Sequence, residues 1–191
     1  MTNNIEAMFE KTGGVLKGHF LLASGRHSPV YWEKFRILQH PEYVVQLCGM
    51  IVDHFRNQRV GLVAGPTTGG IILAFEVARQ LGVPAVYAER VESGGRTFRR
   101  GQTINPGERV LIVDDILTGG GSIRDVITAV TTLQGNVIGV GVLVERSEKR
   151  VDFGAPLFSC LRVVAQQTYS PEECPLCAAQ VPLEKPGGGK T

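Results

Sequence analysis

Asp114 and Asp115 precede two apolar spacers, Ile116 and Leu117, and then the turn Thr118-Gly119-Gly120-Gly121-Ser122. Carboxylates accept hydrogen bonds from hydroxyls and can stand beside developing positive charge. A glycine-rich turn does the complementary work: its bare N–H groups approach an anion closely, and a following helix adds the positive end of its dipole. The turn lacks the Lys of a Gly-Lys-Ser/Thr ending, which argues against an ordinary nucleotide-binding loop. Acids beside a phosphate cradle point to a phosphorylated sugar. The plainer reading is a strand-to-helix turn with no ligand, but two adjacent acids repel unless a cation or hydroxyls satisfy them.

Other reactive types fall at similar places. Gly65-Pro66-Thr67-Thr68-Gly69-Gly70 is a second small-residue turn, able to meet an anion through backbone N–H groups. Arg90 ends an apolar run, where a guanidinium can grip phosphate oxygens in bidentate fashion. Residues 91–107 then form a long stretch in which Arg96, Arg99 and Arg100 follow Gly94-Gly95. Such a loop reads as a mobile lid that neutralises a polyanion and excludes water. Arg146 follows another apolar run and is placed to bind a carboxylate or carbonyl. Cys174-Pro-Leu-Cys177 could supply half of a zinc site, but the chain offers no second pair or nearby His, so completion would need a dimer axis and a turn with reduced thiols is expected.

These residues need elements to carry them. Val110 to Val113 reads as a buried strand with the acids at its end, and Ile123, Val126, Ile127, Val130 and Leu133 recur at helical spacing after the turn. Ser122 with Asp125 resembles a capping box, and Gly135 suits the stop. Upstream, Pro41 opens a helix facing inward with Val44, Cys48, Ile51, Val52 and Phe55. Val60 to Ala64 is a strand, followed by a helix with Ile71, Ala74, Phe75, Ala78 and Leu81 inward and a stop at Gly82. Ala85 to Arg90, Val137 to Val144 and Ser159 to Val164 complete the strands. Cys48 and Cys160 read as small core residues. The alternation predicts an α/β fold: a parallel sheet flanked by helices, with ligands at the carboxyl ends of its strands.

The N-terminal residues 1–36 break that rhythm. They read as a helix, then strands at Val15 to Leu22 and Val30 to Glu33, forming a small hood lobe. The expected organisation is one domain over 1–184, with the hood at 1–36, the α/β core at 37–170 and a flexible tail at 185–191. The chain has 191 residues, 43% hydrophobic and 20% charged, as expected of one globular domain. A net charge of +2 gives no reason to expect a nucleic-acid partner. No apolar run is long enough to span a membrane and the start lacks a signal-peptide pattern, so a cytoplasmic location is expected.

The segment around Asp114 resembles the phosphoribosyl-diphosphate (PRPP) signature of the type I phosphoribosyltransferases. Beyond it the chain is similar to the orotate phosphoribosyltransferase family along nearly its whole length. The matching pieces are Gly18 to Pro29 (Gly-His-Phe-Leu-Leu-Ala-Ser-Gly-Arg-His-Ser-Pro), Gly65-Pro66 with Gly69-Gly70, Ala88-Glu89-Arg90, Asn105-Pro106-Gly107, Glu145-Arg146 and the Cys174-Pro-Leu-Cys177 tail. The resemblance implies transfer of phosphoribose from PRPP to orotate with Mg²⁺, giving orotidine 5′-monophosphate and diphosphate. It implies that Asp114 and Asp115 face the ribose hydroxyls, that Thr118 to Ser122 cradle the 5′-phosphate, and that Ile116 and Leu117 belong to the same PRPP-binding stretch. Thr118 and Arg146 would hold orotate, and Tyr31 and Trp32 would line the base pocket. Arg90, Arg99 and Arg100 would serve catalysis from a loop that reaches into the partner of a homodimer.

The chain departs from the family at points. Ala23 stands where a Lys is common, Gly69 where another is, and Arg90, Ser93 and Gly95 replace the Lys-x-x-Lys-x-His run of the loop. A purine transferase on the same fold and a PRPP-sensing regulator without catalysis are the rival readings.

Overall fold

In the computed structural model, which describes residues 2–22, 24–147, 149–163 and 167–186, the chain opens with α1 (Thr2–Lys11) and a hairpin of β1 (Val15–Leu21) and β2 (His27–Trp32). Next come α2 (Lys34–Leu38), α3 (Pro41–Phe55), β3 (Leu62–Pro66), α4 (Gly69–Leu81), β4 (Ala85–Arg90) and β5 (Arg96–Phe98). Then follow β6 (Arg109–Leu117), α5 (Gly121–Thr132), β7 (Asn136–Glu145), β8 (Leu157–Arg162) and the single turn α6 (Pro175–Ala178). The main sheet has the order β5-β4-β3-β6-β7-β8, parallel except for the antiparallel β4–β5 pair at one edge. Ala23, Val164 and residues 187–191 of the expected tail lie outside the described residues.

Central β6 shows why the acids can be placed. Its side chains alternate between two buried layers: Leu111 and Val113 pack with α3 and α4, while Val110 and Ile112 pack with Ile123, Val126 and Val130 of α5. Both faces are apolar because helices cover both. Each fully buried Leu, Ile or Phe contributes about 1.5–3 kcal/mol from removal of apolar surface alone. The hood joins the first layer, with Ile5, Met8 and Phe9 of α1 packed beside Trp32, Ile37 and Leu161.

Several expectations shift. The β6 strand does not stop at Val113 but runs through both aspartates to Leu117, because Asp114, Ile116 and Leu117 keep pairing with Val142, Val144 and Glu145 of β7. The α4 helix turns a different face inward: Leu73, Ala74, Val77 and Ala78 are buried, while Phe75 is 66% exposed. Its sequence is apolar nearly all round, so periodicity could not choose the face. The Ser122–Asp125 capping box does not form; Gly120 is the N-cap of α5 and no side chain caps it. Leu133 lies beyond that helix and is exposed. The second hood strand begins at His27 rather than Val30. Residues 91–107 are not all loop, because Arg96 to Phe98 add an edge strand to β4.

Candidate active site

Alternation along β6 separates the two acids. Asp114 continues the Val110–Ile112 row toward α5, and Asp115 continues the Leu111–Val113 row toward α4. Asp114 lines a cavity of about 330 Å³ above the start of α5. It is buried and its Oδ1 accepts the Asp115 backbone N–H at 2.9 Å. Burial first, and the neighbouring Asp115 second, push its carboxyl up to about 7. Asp115 instead accepts from Lys34 Nζ at 2.9 Å and from the Ile116 N–H at 2.7 Å through Oδ1. Its buried Oδ2 has no hydrogen-bond partner among the described residues and faces Gly69 so closely that a Cβ there would lie 2.0 Å away. Only glycine fits at that position. The two acids therefore do not both line the cradle.

The cradle is the turn between β6 and α5. Gly120 takes a left-handed φ of 77° to send the chain into the helix. The first turn of a helix leaves N–H groups without intrahelical acceptors, and here they border the cavity. Ile116, Leu117, Thr118, Gly119, Gly120, Gly121 and Ser122 line it together with Arg90. Every sequence-predicted PRPP contact except Asp115 thus surrounds this one space.

A second cavity of about 830 Å³ adjoins it, and Ile116, Thr118 and Gly119 border both. Tyr31, Trp32 and Lys34 of the hood form one wall and Arg146 another. Arg146 Nε is buried without a partner among the described residues, so an acceptor brought by a ligand would satisfy it. Burial also pulls the Arg146 pKa down, so the folded chain holds this cation at a cost. Burial foremost, then Glu33, raises the Tyr31 phenol. Trp32 contributes an edge only; its ring is buried in a T-shaped contact with Phe9 at 5.0 Å. Arg26, Lys34, Lys149 and Lys185 add further positive charge, and no Asp or Glu is among the described residues lining this space. Sequence reasoning missed these four, which are scattered singly along the chain.

The arginines of the 91–107 segment divide. Arg96 is buried and donates to Thr67 Oγ1 at 2.9 Å and to the Ala88 carbonyl at 3.1 Å, pinning the β3–α4 turn to β4. Arg100 pairs with Glu89 at 2.8 Å. Arg99 is exposed, and neither Arg99 nor Arg100 lines either cavity.

Residues 36–175 match the model of the phosphoribosyl transferase domain. The orotate phosphoribosyltransferase of Caldanaerobacter subterraneus subsp. tengcongensis is 48% identical over 183 residues, 96% of this chain and 95% of that one. That of Pelotomaculum thermopropionicum is 47% identical over 98% of both chains. The crystal structure of orotate phosphoribosyltransferase from Aeropyrum pernix superposes with a TM-score of 0.74 at 28% identity, covering 83% of this chain and 93% of that one.

Proposed function

The chain belongs to the orotate phosphoribosyltransferase family, and from that premise we propose that it transfers the 5-phosphoribosyl group of PRPP to orotate, releasing diphosphate and forming orotidine 5′-monophosphate. The observation that carries the choice of base is the second cavity. Its cations around a half-buried Arg146, whose buried Nε has no partner among the described residues, suit a planar ring bearing a carboxylate, with Tyr31 beside it. A neutral purine would leave that charge unanswered.

In this reading the cradle from Thr118 to Ser122 holds the 5′-phosphate through backbone N–H groups, and Asp114 meets the ribose hydroxyls. Arg146 and Thr118 orient orotate, with Tyr31 and the edge of Trp32 closing the base pocket. Loss of diphosphate from C1 leaves an electron-poor ribose, whose positive charge the Asp114 carboxylate in the cavity lining stabilises. Arg90 reaches the diphosphate from the rim, and Arg99 and Arg100 join it when their segment closes over the bound substrates. Asp115 acts from behind the strand, paired with Lys34, and holds the end of β6 in place.

Magnesium fits this donor set. Asp114 is the one sequence-predicted acid that lines the cavity, a sparse set of protein ligands, as expected for an ion held chiefly by substrate phosphates. When bound, it would neutralise the leaving diphosphate. We further place the enzyme in the cytoplasm as a homodimer. Exposed Val45, Ile72 and Phe75 on the adjacent helices α3 and α4 support the pairing, and four cysteines free of disulfides support the location.

The deciding assay supplies PRPP with orotate, adenine or xanthine and follows diphosphate release. Turnover confined to orotate is expected; a preferred purine, or PRPP binding without turnover of any base, refutes the reading.

A further inference from the structure

The Cys174–Cys177 pair, which the sequence left as a turn with reduced thiols, meets two histidines in space. His19 Nε2 lies 2.9 Å from His27 Nδ1, 3.4 Å from Cys174 Sγ and 3.7 Å from Cys177 Sγ, and Cys177 Sγ lies 3.3 Å from His27 Nδ1. All four atoms fall within 4.8 Å of one another. We propose that His19, His27, Cys174 and Cys177 form a structural zinc site that fastens the C-terminal segment to the hood hairpin.

The geometry is that of a ligand shell. Zinc binds nitrogen at about 2.0–2.1 Å and sulfur at about 2.3 Å, so tetrahedral ligand atoms stand about 3.3–3.8 Å apart. The observed spacings bracket that range, with the two nitrogens slightly closer. The local folds explain the convergence. Period two along β1 puts His19 on the face of Leu21, whose partner across the hairpin is His27. One turn of α6 puts Cys174 and Cys177 three residues apart on one face.

The surroundings prepare the site as well. The Nδ1–H of His19 donates to the Val181 carbonyl at 2.8 Å, which fixes the tautomer and presents the Nε2 lone pair to the cluster. A backbone carbonyl in that role is the usual outer partner of a metal-bound imidazole. His19, His27 and Cys174 are buried and Cys177 is exposed, so the ion would be shielded yet reachable. Binding would release two thiol protons to solvent, and two thiolates with two neutral imidazoles cancel the charge of the dication. Four protein ligands leave no open position, so the role is structural.

The fastening has consequences for the larger cavity. The C-terminal segment already pairs with the hairpin on both sides, Tyr169 with His27 and Glu184 with His19 and Leu21. Thr168 and Lys185 of that segment line the cavity, so the metal would hold one wall of the base pocket.

The test uses the full-length protein purified without chelator. Elemental analysis should find about one zinc per chain. Chelator-treated protein titrated with Co²⁺ should develop tetrahedral cobalt absorption with thiolate charge transfer. Outer partners alone are worth about 10–100-fold in affinity, so Cys177→Ser should weaken Co²⁺ binding by more than about 100-fold. Cys177 of the unmodified protein should resist iodoacetamide, despite its exposure, until a chelator is added. This last readout stands even if the variant fails to fold. Zinc in trace amounts with equal alkylation before and after chelation overturns the site. A Cys174–Cys177 disulfide, or cobalt binding unaffected by Cys177→Ser, overturns it too.

Discussion

Arg146→Ala isolates the recognition of orotate from everything else. The guanidinium is half-buried in a wall of the larger cavity, with Nε unpartnered among the described residues, and it does not line the cradle. A hydrogen bond to a charged group is worth about 1.5–3 kcal/mol, and a planar guanidinium can make two with one carboxylate. Lys34, Lys149 and Lys185 remain to attract the same anion, so the lower part of the sum applies. About 3–4 kcal/mol corresponds to a loss of roughly 10²–10³-fold in kcat/KM for orotate. The KM for PRPP should move by less than about threefold, because the cradle is formed by backbone that the substitution leaves in place. Stability should run the other way. Burial pulls the Arg146 pKa down, so removing the side chain relieves a desolvated charge and the melting temperature should hold or rise. Arg146→Lys should recover part of the loss, since a point charge attracts a carboxylate without the two-pronged geometry. Steady-state kinetics in both substrates and a thermal melt decide it. Equal losses toward orotate and PRPP, or a lowered melting temperature with orotate kinetics intact, would refute the assignment.

Burial first, and the Asp115 charge second, push the Asp114 carboxyl up from an ordinary 3.8 to about 7. A raised carboxyl contributes stability that is fully present below about pH 4 and is lost as pH rises through about 7. Relative to Asp114→Asn, the ligand-free protein should therefore lose stability across that window, and the variant should lose turnover; melting curves that stay parallel over the window contradict this. Lys34→Ala leaves Asp115 without its cation, and with Lys34 partly exposed the loss in chemical denaturation should be about 1.5 kcal/mol. Unchanged stability would show that the pair contributes nothing to the fold. At Gly119 an added methyl meets nothing within 4 Å, so Gly119→Ala should fold normally yet raise the KM for PRPP. Gly120→Ala, at φ 77° and 3.0 Å from Phe153, should cost about 1–2 kcal/mol of stability. The opposite ranking in thermal melts would contradict the backbone argument.

The parts of the fold that were legible are those where sequence carries two signals at once. The β4 strand was read residue for residue, and α3 was read with its proline start and buried face, because apolar pattern and punctuation agree there. Where one signal is missing the reading drifted. The end of β6 was hidden because a strand edge facing a ligand site can carry acids without losing its ladder to β7. The buried face of α4 was hidden because Ile72 and Phe75 are as apolar as Leu73 and Val77. Arg96 looked like its loop neighbours, yet it is buried against Thr67 while Arg99 is exposed. The four-atom cluster escaped because its ligands are far apart in the chain. Reading His27 as part of a strand, rather than of the preceding turn, would have set it opposite Leu21 and drawn attention to His19.

Thr118 and Gly119 form a party wall between the two chambers. Whatever settles that short stretch of main chain from one side prepares it for the visitor on the other. Reciprocity then requires each reactant to tighten the other's grip by the same factor, so the sequence of arrival is governed by access. A tenant that merely fills one room without touching the partition would lend its neighbour nothing.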